Sequence, residues 1–323
     1  MIPFQTPPAI PAPAPADREI SFPGFNSVTL KASVRGAASP ASGSAYFAVM
    51  VAGSGPTDRD WSNSLIPFPS HGGRDFAAWL ASQGIASLRY DKRFIGTKDP
   101  KLDISLDAQV GDIKAALQAA RSLPEAKGRK LLLVGHSEGA LLSLLAASDA
   151  DALLLIGLPP EPMGALIEAQ VGRQLEGAPE EMRKANADYL HAVLEAIRHT
   201  TAAPVPGEQI YPALARLGQS FLAPESLSFV RGTLDLDPWK LVSRCPVPVA
   251  VVYGEEDMQS FPPSKAPEDF HGAFLRIPQA NHLLKRETRP ASDITASQAM
   301  SAYGDDTPLA DLGNLAAWLK QLK

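Results

Sequence analysis

Seven short apolar runs recur along this 323-residue chain, at residues 28–34, 45–52, 85–90, 131–135, 152–156, 247–253 and 273–277. Most are unbroken, where a strand with one wet face would alternate apolar and polar side chains. Strands buried on both faces read this way, because each face meets its own layer of helices. Helical spacings separate the runs: Leu106, Val110, Ile113 and Leu117 follow a capping residue at Ser105, and Leu309, Leu312, Leu315 and Leu319 repeat near the end. Strand alternating with helix predicts an α/β fold around a mostly parallel central sheet flanked by helices. With 45% hydrophobic and 20% charged residues the chain can fill such a core.

The rhythm breaks twice. Seven prolines fall within the first 23 residues, each removing a backbone donor and fixing φ, so residues 1–17 read as a loose Pro/Ala-rich arm. After Leu158, Pro159, Pro160 and Pro162 open a stretch without a strand-like run until Val247. It carries helical spacings at Met163, Ile167, Val171 and Leu175, then at Met182, Ala185, Tyr189, Val193 and Ile197. The expected organisation is a core of residues 18–158 and 240–323 with a helical cap at 159–239, over the sheet edge where ligands enter α/β folds. A helical appendage that only packs or dimerises is the other reading of that insertion.

Charge and cysteine content narrow the function. Thirty Lys and Arg stand against 35 Asp and Glu, a net charge of −5, the wrong sign for neutralising phosphates, so no nucleic acid partner is expected. Cys245 is the single cysteine and can form neither an internal disulfide nor a paired-thiol metal site. No apolar run approaches the roughly 18 residues of a membrane span. The N-terminus lacks a basic segment followed by an unbroken apolar stretch, which fits a cytoplasmic protein or an exported one whose signal has been removed. Oligomeric state leaves no mark.

The sharpest chemical feature is the segment 131–142, an apolar strand running into Gly135-His136-Ser137-Glu138-Gly139 and then a helix of small and apolar residues. G-x-S-x-G alone turns up by chance in about one chain in ten of this length, so its setting carries more weight than its pattern. A serine on a tight strand-to-helix turn is held in strained backbone with Oγ exposed, and flanking glycines keep Cβ atoms out of the turn. The helix N-terminus behind it offers N–H groups to a developing oxyanion.

A serine hydroxyl needs a base, and in folds built on this elbow the partners follow in the order serine, acid, histidine. Residues 249–253 run into Gly254-Glu255-Glu256-Asp257, which makes Asp257 the candidate acid and Glu256 the next choice. Residues 273–277 run into a loop bearing His282, the candidate base. A second oxyanion donor is expected after the early strand 45–52, where Gly53-Ser54-Gly55-Pro56 follows; the backbone N–H groups of Ser54 and Glu138 are assigned to that hole. A dinucleotide reading of Gly53-Ser54-Gly55 fails because Asp58 stands where the third glycine belongs. No cofactor motif or metal motif appears. His136 reads as a sideways-packing elbow residue, and His191 and His199, eight apart on one helix, are too distant to share a metal. Asp58-Arg59-Asp60 and the cluster Arg89-Tyr90-Asp91-Lys92-Arg93 read as ion pairs tying loops together, and Cys245 as a buried apolar residue.

On these residues the chain resembles the α/β-hydrolase superfamily over roughly residues 20–323. Residues 52–60 together with 89–93 look like a bacterial branch of serine esterases related to serine aminopeptidase-like and dienelactone-hydrolase-like proteins. Ala52 departs from the histidine that many relatives carry there, and Phe94-Ile95-Gly96 departs from a glycine directly after the basic pair. The resemblance implies Ser137 as nucleophile, Asp257 as acid, His282 as base, and Ser54 with Glu138 as oxyanion donors. The expected activity is hydrolysis of small-molecule carboxylic esters of short to medium acyl chains, with an acyl pocket expected among cap residues such as Met163, Met182, Leu190 and Phe221. A thioesterase, a small-peptide hydrolase or a non-hydrolytic enzyme could use the same residues, and a non-catalytic binding protein would have no need of all three.

Overall fold

Among the described residues eight strands, numbered β1 to β8 in chain order, join in one sheet in the order β1-β2-β4-β3-β5-β6-β7-β8. The computed structural model describes residues 17–38, 44–64, 66, 68–97, 99 and 101–322. The strands are β1 (Arg18–Pro23), β2 (Thr29–Arg35), β3 (Tyr46–Val51), β4 (Ser87–Tyr90), β5 (Lys130–His136), β6 (Ala152–Ile156), β7 (Val249–Gly254) and β8 (Ala273–Ile277). β2 runs antiparallel to both its neighbours, β1 and β4, while β4, β3 and β5 to β8 are mutually parallel.

The unbroken apolar runs are explained by two cores, one on each face. Along β3, Phe47, Val49 and Val51 enter one cluster while Tyr46, Ala48 and Met50 enter the other. Leu131 and Leu133 of β5 oppose Leu132 and Val134 in the same way. Side chains alternate faces with a period of two, so a strand covered on both sides must be apolar at every position. Helix α1 (Gly72–Ser82) and α9 (Gly313–Gln321) cover one face; α2 (Leu106–Arg121) and α3 (Glu138–Leu145) cover the other.

That layering locates a crevice. The chain leaves β3 toward α1 and leaves the adjacent β5 toward α3, on opposite faces. Where neighbouring parallel strands send their connections to opposite faces, a cleft opens beyond their C-terminal ends. Val51 pairs with Gly135, so residues 52–55 and 136–138 leave the sheet side by side.

Three expectations need amending. The helix expected from Leu309 begins only at Gly313: Leu309 instead makes a β-bridge with Lys285, and the Ala310 N–H donates to Leu284 O at 2.9 Å. β1 belongs to the sheet although its sequence offers only Ile20 and Phe22 as apolar members; an edge strand paired on one side needs no more, and it tolerates Pro23. Cys245 is half-buried, packed against the first core cluster. Of the stretch 1–17 only Asp17 lies within the described residues, and it is ion-paired to Arg35 at 2.6 Å and to Arg89 at 2.7 Å.

Between β6 and β7 come α4 (Met163–Gln174), α5 (Glu180–His199), α6 (Pro212–Leu222), α7 (Pro224–Leu234) and the short α8 (Pro238–Ser243). Helices α4 to α7 build a third cluster around Val171, Tyr189, Leu190, Val193 and Ile197. Leu190 lies inside that cluster, Phe221 packs against it half-buried, and Met163 packs half-buried on the first core. Among the described residues no helix is long and apolar enough to cross a membrane.

Candidate active site

Ser137 stands between β5 and α3 with φ 56° and ψ −124°, a backbone conformation that costs a non-glycine residue energy and persists only when its surroundings impose it. Those surroundings are on both sides. Its N–H donates to Ile156 O at 2.8 Å, and its carbonyl accepts from the Ala140 N–H at 2.9 Å. A Cβ on Gly135 would collide with the Gly139 carbonyl, and one on Gly139 with the Ala52 carbonyl, so the elbow closes only with glycine at both places. A Cβ on Gly53 would lie 3.2 Å from Ser137 Cβ, which puts the loop after β3 against the serine.

Asp257 and His282 arrive from the next two strands and meet. His282 Nδ1 donates to Asp257 Oδ2 at 2.7 Å, with both side chains almost wholly buried. The other carboxylate oxygen accepts from the N–H groups of Gln259 (2.8 Å) and Ser260 (2.9 Å), and the Ser260 hydroxyl donates to Oδ2. Burial raises the pKa of Asp257, but the charge and hydrogen bond of His282 and the Ser260 bonds outweigh it and hold the carboxyl below the usual range. Glu256, one residue away, turns elsewhere and accepts from the Ala291 N–H at 2.6 Å.

His282 Nε2 is buried without a hydrogen-bond partner among the described residues. The ring packs against Gly157, where an added Cβ would sit 2.8 Å from Cε1; Gly157 also has φ 59°. Since Gly157 follows Ile156, whose carbonyl holds Ser137, the serine and the imidazole share the same strand end. His136 connects them from the other side. Its Nε2 donates to the His282 carbonyl at 3.0 Å, and its ring stacks on Trp61 with centroids 4.5 Å apart. Burial, and after it the charge of His282, push the His136 pKa down to about 3, so the ring is a neutral strut.

The histidine loop is shaped by Asn281 and Lys285. Asn281 Oδ1 accepts from the Leu283 and Lys285 N–H groups at 2.9 and 3.1 Å. Lys285, fully buried, donates to Ser70 O at 2.6 Å and Gly304 O at 2.8 Å and pairs with Asp75 at 3.2 Å. Beside the serine, the carbonyl of Ser54 accepts from Thr57 Oγ1 at 2.7 Å. Lys92 lies buried 3.1 Å from the Glu138 carboxylate. The charge clusters are ion pairs: Arg59 with Asp91 at 2.8 Å, Arg89 with Asp60 at 2.9 Å, and Arg93 with Asp112 at 2.7 Å.

Sequence reading anticipated neither the roles of His136, Gly157, Ser260 and Asn281 nor the inward turn of Lys92. Gly157 had one signal, a glycine directly after an apolar strand. A cleft of about 590 Å³ opens next to this loop, walled by Pro56, Ile66, Phe68, Phe94 and Ile95, with Asp58 and Asn63 also lining it. Among the described residues no group of three or more His, Cys, Asp or Glu could hold a metal ion.

A sequence model described as the alpha/beta hydrolase family matches residues 48–291. The chain is similar to "Esterase EstD" of Thermotoga maritima, 26% identical over 214 residues, which cover 65% of this chain and 46% of EstD. The match thus spans about half the length of that relative. In structure it is similar to DcsB in complex with its substrate analogue (TM-score 0.54, 17% identity, 95% of this chain and 100% of that one). It is also similar to proline iminopeptidase of Mycobacterium smegmatis (TM-score 0.53, 17% identity, 94% and 98%).

Proposed function

Because the chain belongs to the alpha/beta hydrolase family, we propose that it is a carboxylesterase-type serine hydrolase, cleaving esters of short to medium acyl chains through an acyl-enzyme on Ser137. The observation that carries this reading is the buried Asp257–His282 pair, brought to the strand end that holds a serine at φ 56°. The likeness to EstD supports the choice of esters.

Ser137 Oγ attacks the carbonyl carbon while His282 Nε2 accepts its proton. Asp257 fixes the ring with Nε2 free and stabilises the imidazolium that forms. The negative charge on the former carbonyl oxygen is received by the N–H groups of Ser54 and Glu138. His282 then gives its proton to the departing alcohol, and water activated by the same nitrogen releases the acid. A positioned base contributes roughly 10²–10⁴ in rate, and one oxyanion donor about 3 kcal/mol. The apolar walls of the cleft beside Pro56 suit a hydrocarbon chain.

Helices α4 to α7 act as a cap. Gln170 on α4 donates to Gln259 O at 2.8 Å, two residues beyond the acid, and Arg173 reaches Ala291 O and Ile294 O at 3.4 and 3.3 Å.

Purified protein is expected to hydrolyse p-nitrophenyl butyrate or hexanoate, with Ser137→Ala lowering kcat by about 10³-fold or more. Rates no higher than that variant's on both esters would sink the ester reading. Acyl-thioesters and aminoacyl arylamides run alongside decide the bond class. A fluorophosphonate that leaves Ser137 unlabelled in folded protein would point to a binding protein instead.

A further inference from the structure

We propose that Lys92 is a positioning residue for the oxyanion hole, its ammonium joining the two backbone segments that supply the donors. The inference rests on the serine hydrolase reading above.

Lys92 sits two residues beyond β4, between residues committed elsewhere. Asp91 accepts from the Arg59 N–H at 2.9 Å and pairs with its guanidinium, while Arg93 is held by Asp112 and by the carbonyls of Phe25 and Asp103. The loop is therefore anchored on both sides, and Lys92 turns inward toward the elbow while Arg93 is buried against Asp112. Its side chain is 7% exposed, and Nζ donates to Glu138 Oε1 at 3.1 Å and to Gly55 O at 3.4 Å. The Phe94 ring, 5.6 Å from Nζ, covers it from another direction.

Those two acceptors belong to the two sides of the hole. Glu138 follows the nucleophile and carries one assigned N–H, and Gly55 follows Ser54, which carries the other. Gly55 has φ 64° and Ser54 is exposed, so the tip of this loop relies on hydrogen bonds: Thr57 donates to Ser54 O at 2.7 Å and to Gly55 O at 2.8 Å, and Lys92 adds the tie to the elbow. An ammonium has several donors and can hold a carboxylate and a carbonyl at once. In a buried setting such a charged pair also defines geometry, because separating it leaves a charge without a partner. Oxyanion donors act by being fixed in advance where charge will develop, so a loosened loop costs rate more than binding.

The test is the kinetics with which a fluorophosphonate labels Ser137, resolved into the saturation constant and the maximal bond-forming rate, measured well below the thermal transition. Phosphonylation develops charge on the P=O oxygen in the hole and does not depend on which ester is the natural substrate. Lys92→Met is expected to lower the maximal rate about a hundredfold, with the saturation constant within about threefold and Lys92→Arg restoring much of the loss. Because Lys92→Met strands a buried carboxylate, the double variant Lys92→Met with Glu138→Met supplies a folded form without either charge and is expected to show the same loss. A bond-forming rate within threefold of wild type in either folded variant overturns the proposal. So does a loss confined to the saturation constant or to thermal stability, which marks a purely structural pair. Wild-type protein that is folded yet unlabelled overturns the hydrolase reading itself, and this inference falls with it.

Discussion

His136 shows how a single side chain can be read correctly as to place and missed as to work. Its elbow position says only that the side chain must lie beside the turn; its bond to the His282 carbonyl depends on a loop 146 residues away. Because its folded pKa is pushed down to about 3, the unfolded chain binds a proton that the folded one refuses as pH falls below the ordinary histidine value of about 6.5. The sign follows from linkage: folding stability drops as pH falls from about 6.5 toward 3 and is unaffected by this group above that window. His136→Gln is expected to flatten the decline by about 1 kcal/mol per pH unit, measured as the difference between urea unfolding free energies of the two proteins at pH 7, 6 and 5. Equal slopes would show that the ring is not held neutral. Asp257 and Glu256 make the same point about reach. Adjacent carboxylates after one strand cannot be ranked by spacing, and here one hydrogen-bonds the imidazole and the other a backbone N–H of residue 291.

At the scale of elements, local signals and observed structure agree where the physics is local. Ser105 precedes α2 and its Oγ accepts from the Ala108 N–H at 3.3 Å, satisfying a donor that the first turn cannot. Ser105→Ala is expected to cost about 1 kcal/mol in a urea titration, with ester turnover unchanged because the cap lies on the face away from His282; a cost below a few tenths would show the cap adds nothing. The strands at 152–156 and 273–277 coincide with the apolar runs; the first is buried at every position, as a strand covered on both faces must be, while the second is an edge strand buried only at Ile277. Agreement fails at the C-terminal leucines. Leu309 keeps helical spacing with Leu312, Leu315 and Leu319, yet its backbone is engaged by the loop of Lys285 before a helix can form there. Competition from a distant partner is not written in a local repeat. The insertion reads well as helices, because α4 and α5 carry the expected periods, and several of its large apolar residues pack into a cluster of its own.

For the molecule as a whole, Lys285 is the fastener between the histidine loop and the start of α1. It joins Ser70 and Asp75 at the start of α1 to Gly304, on the segment that returns under residues 281–286. Removing its charge leaves Asp75 and two carbonyls without their common donor, so Lys285→Met is expected to destabilise by about 3 kcal/mol and to lower kcat by displacing His282. Calorimetry together with ester kinetics checks both effects; a stable variant with full turnover would show that the loop is held by Asn281 alone. By itself the sequence determined the α/β class, the parallel sheet with both faces covered, the helical insertion, the glycine-flanked serine elbow and the strand ends that bear an acid and a histidine. Each of these follows from interactions among near neighbours: side-chain periodicity, cap chemistry and steric room at a turn. Only the tertiary structure decided which carboxylate meets His282, that Gly157 gives the imidazole its room, that His136 braces it, and that Lys92 spans the loop and the elbow. These depend on side chains far apart in the chain approaching within hydrogen-bonding distance, and such an approach is set by how the whole sheet twists and packs.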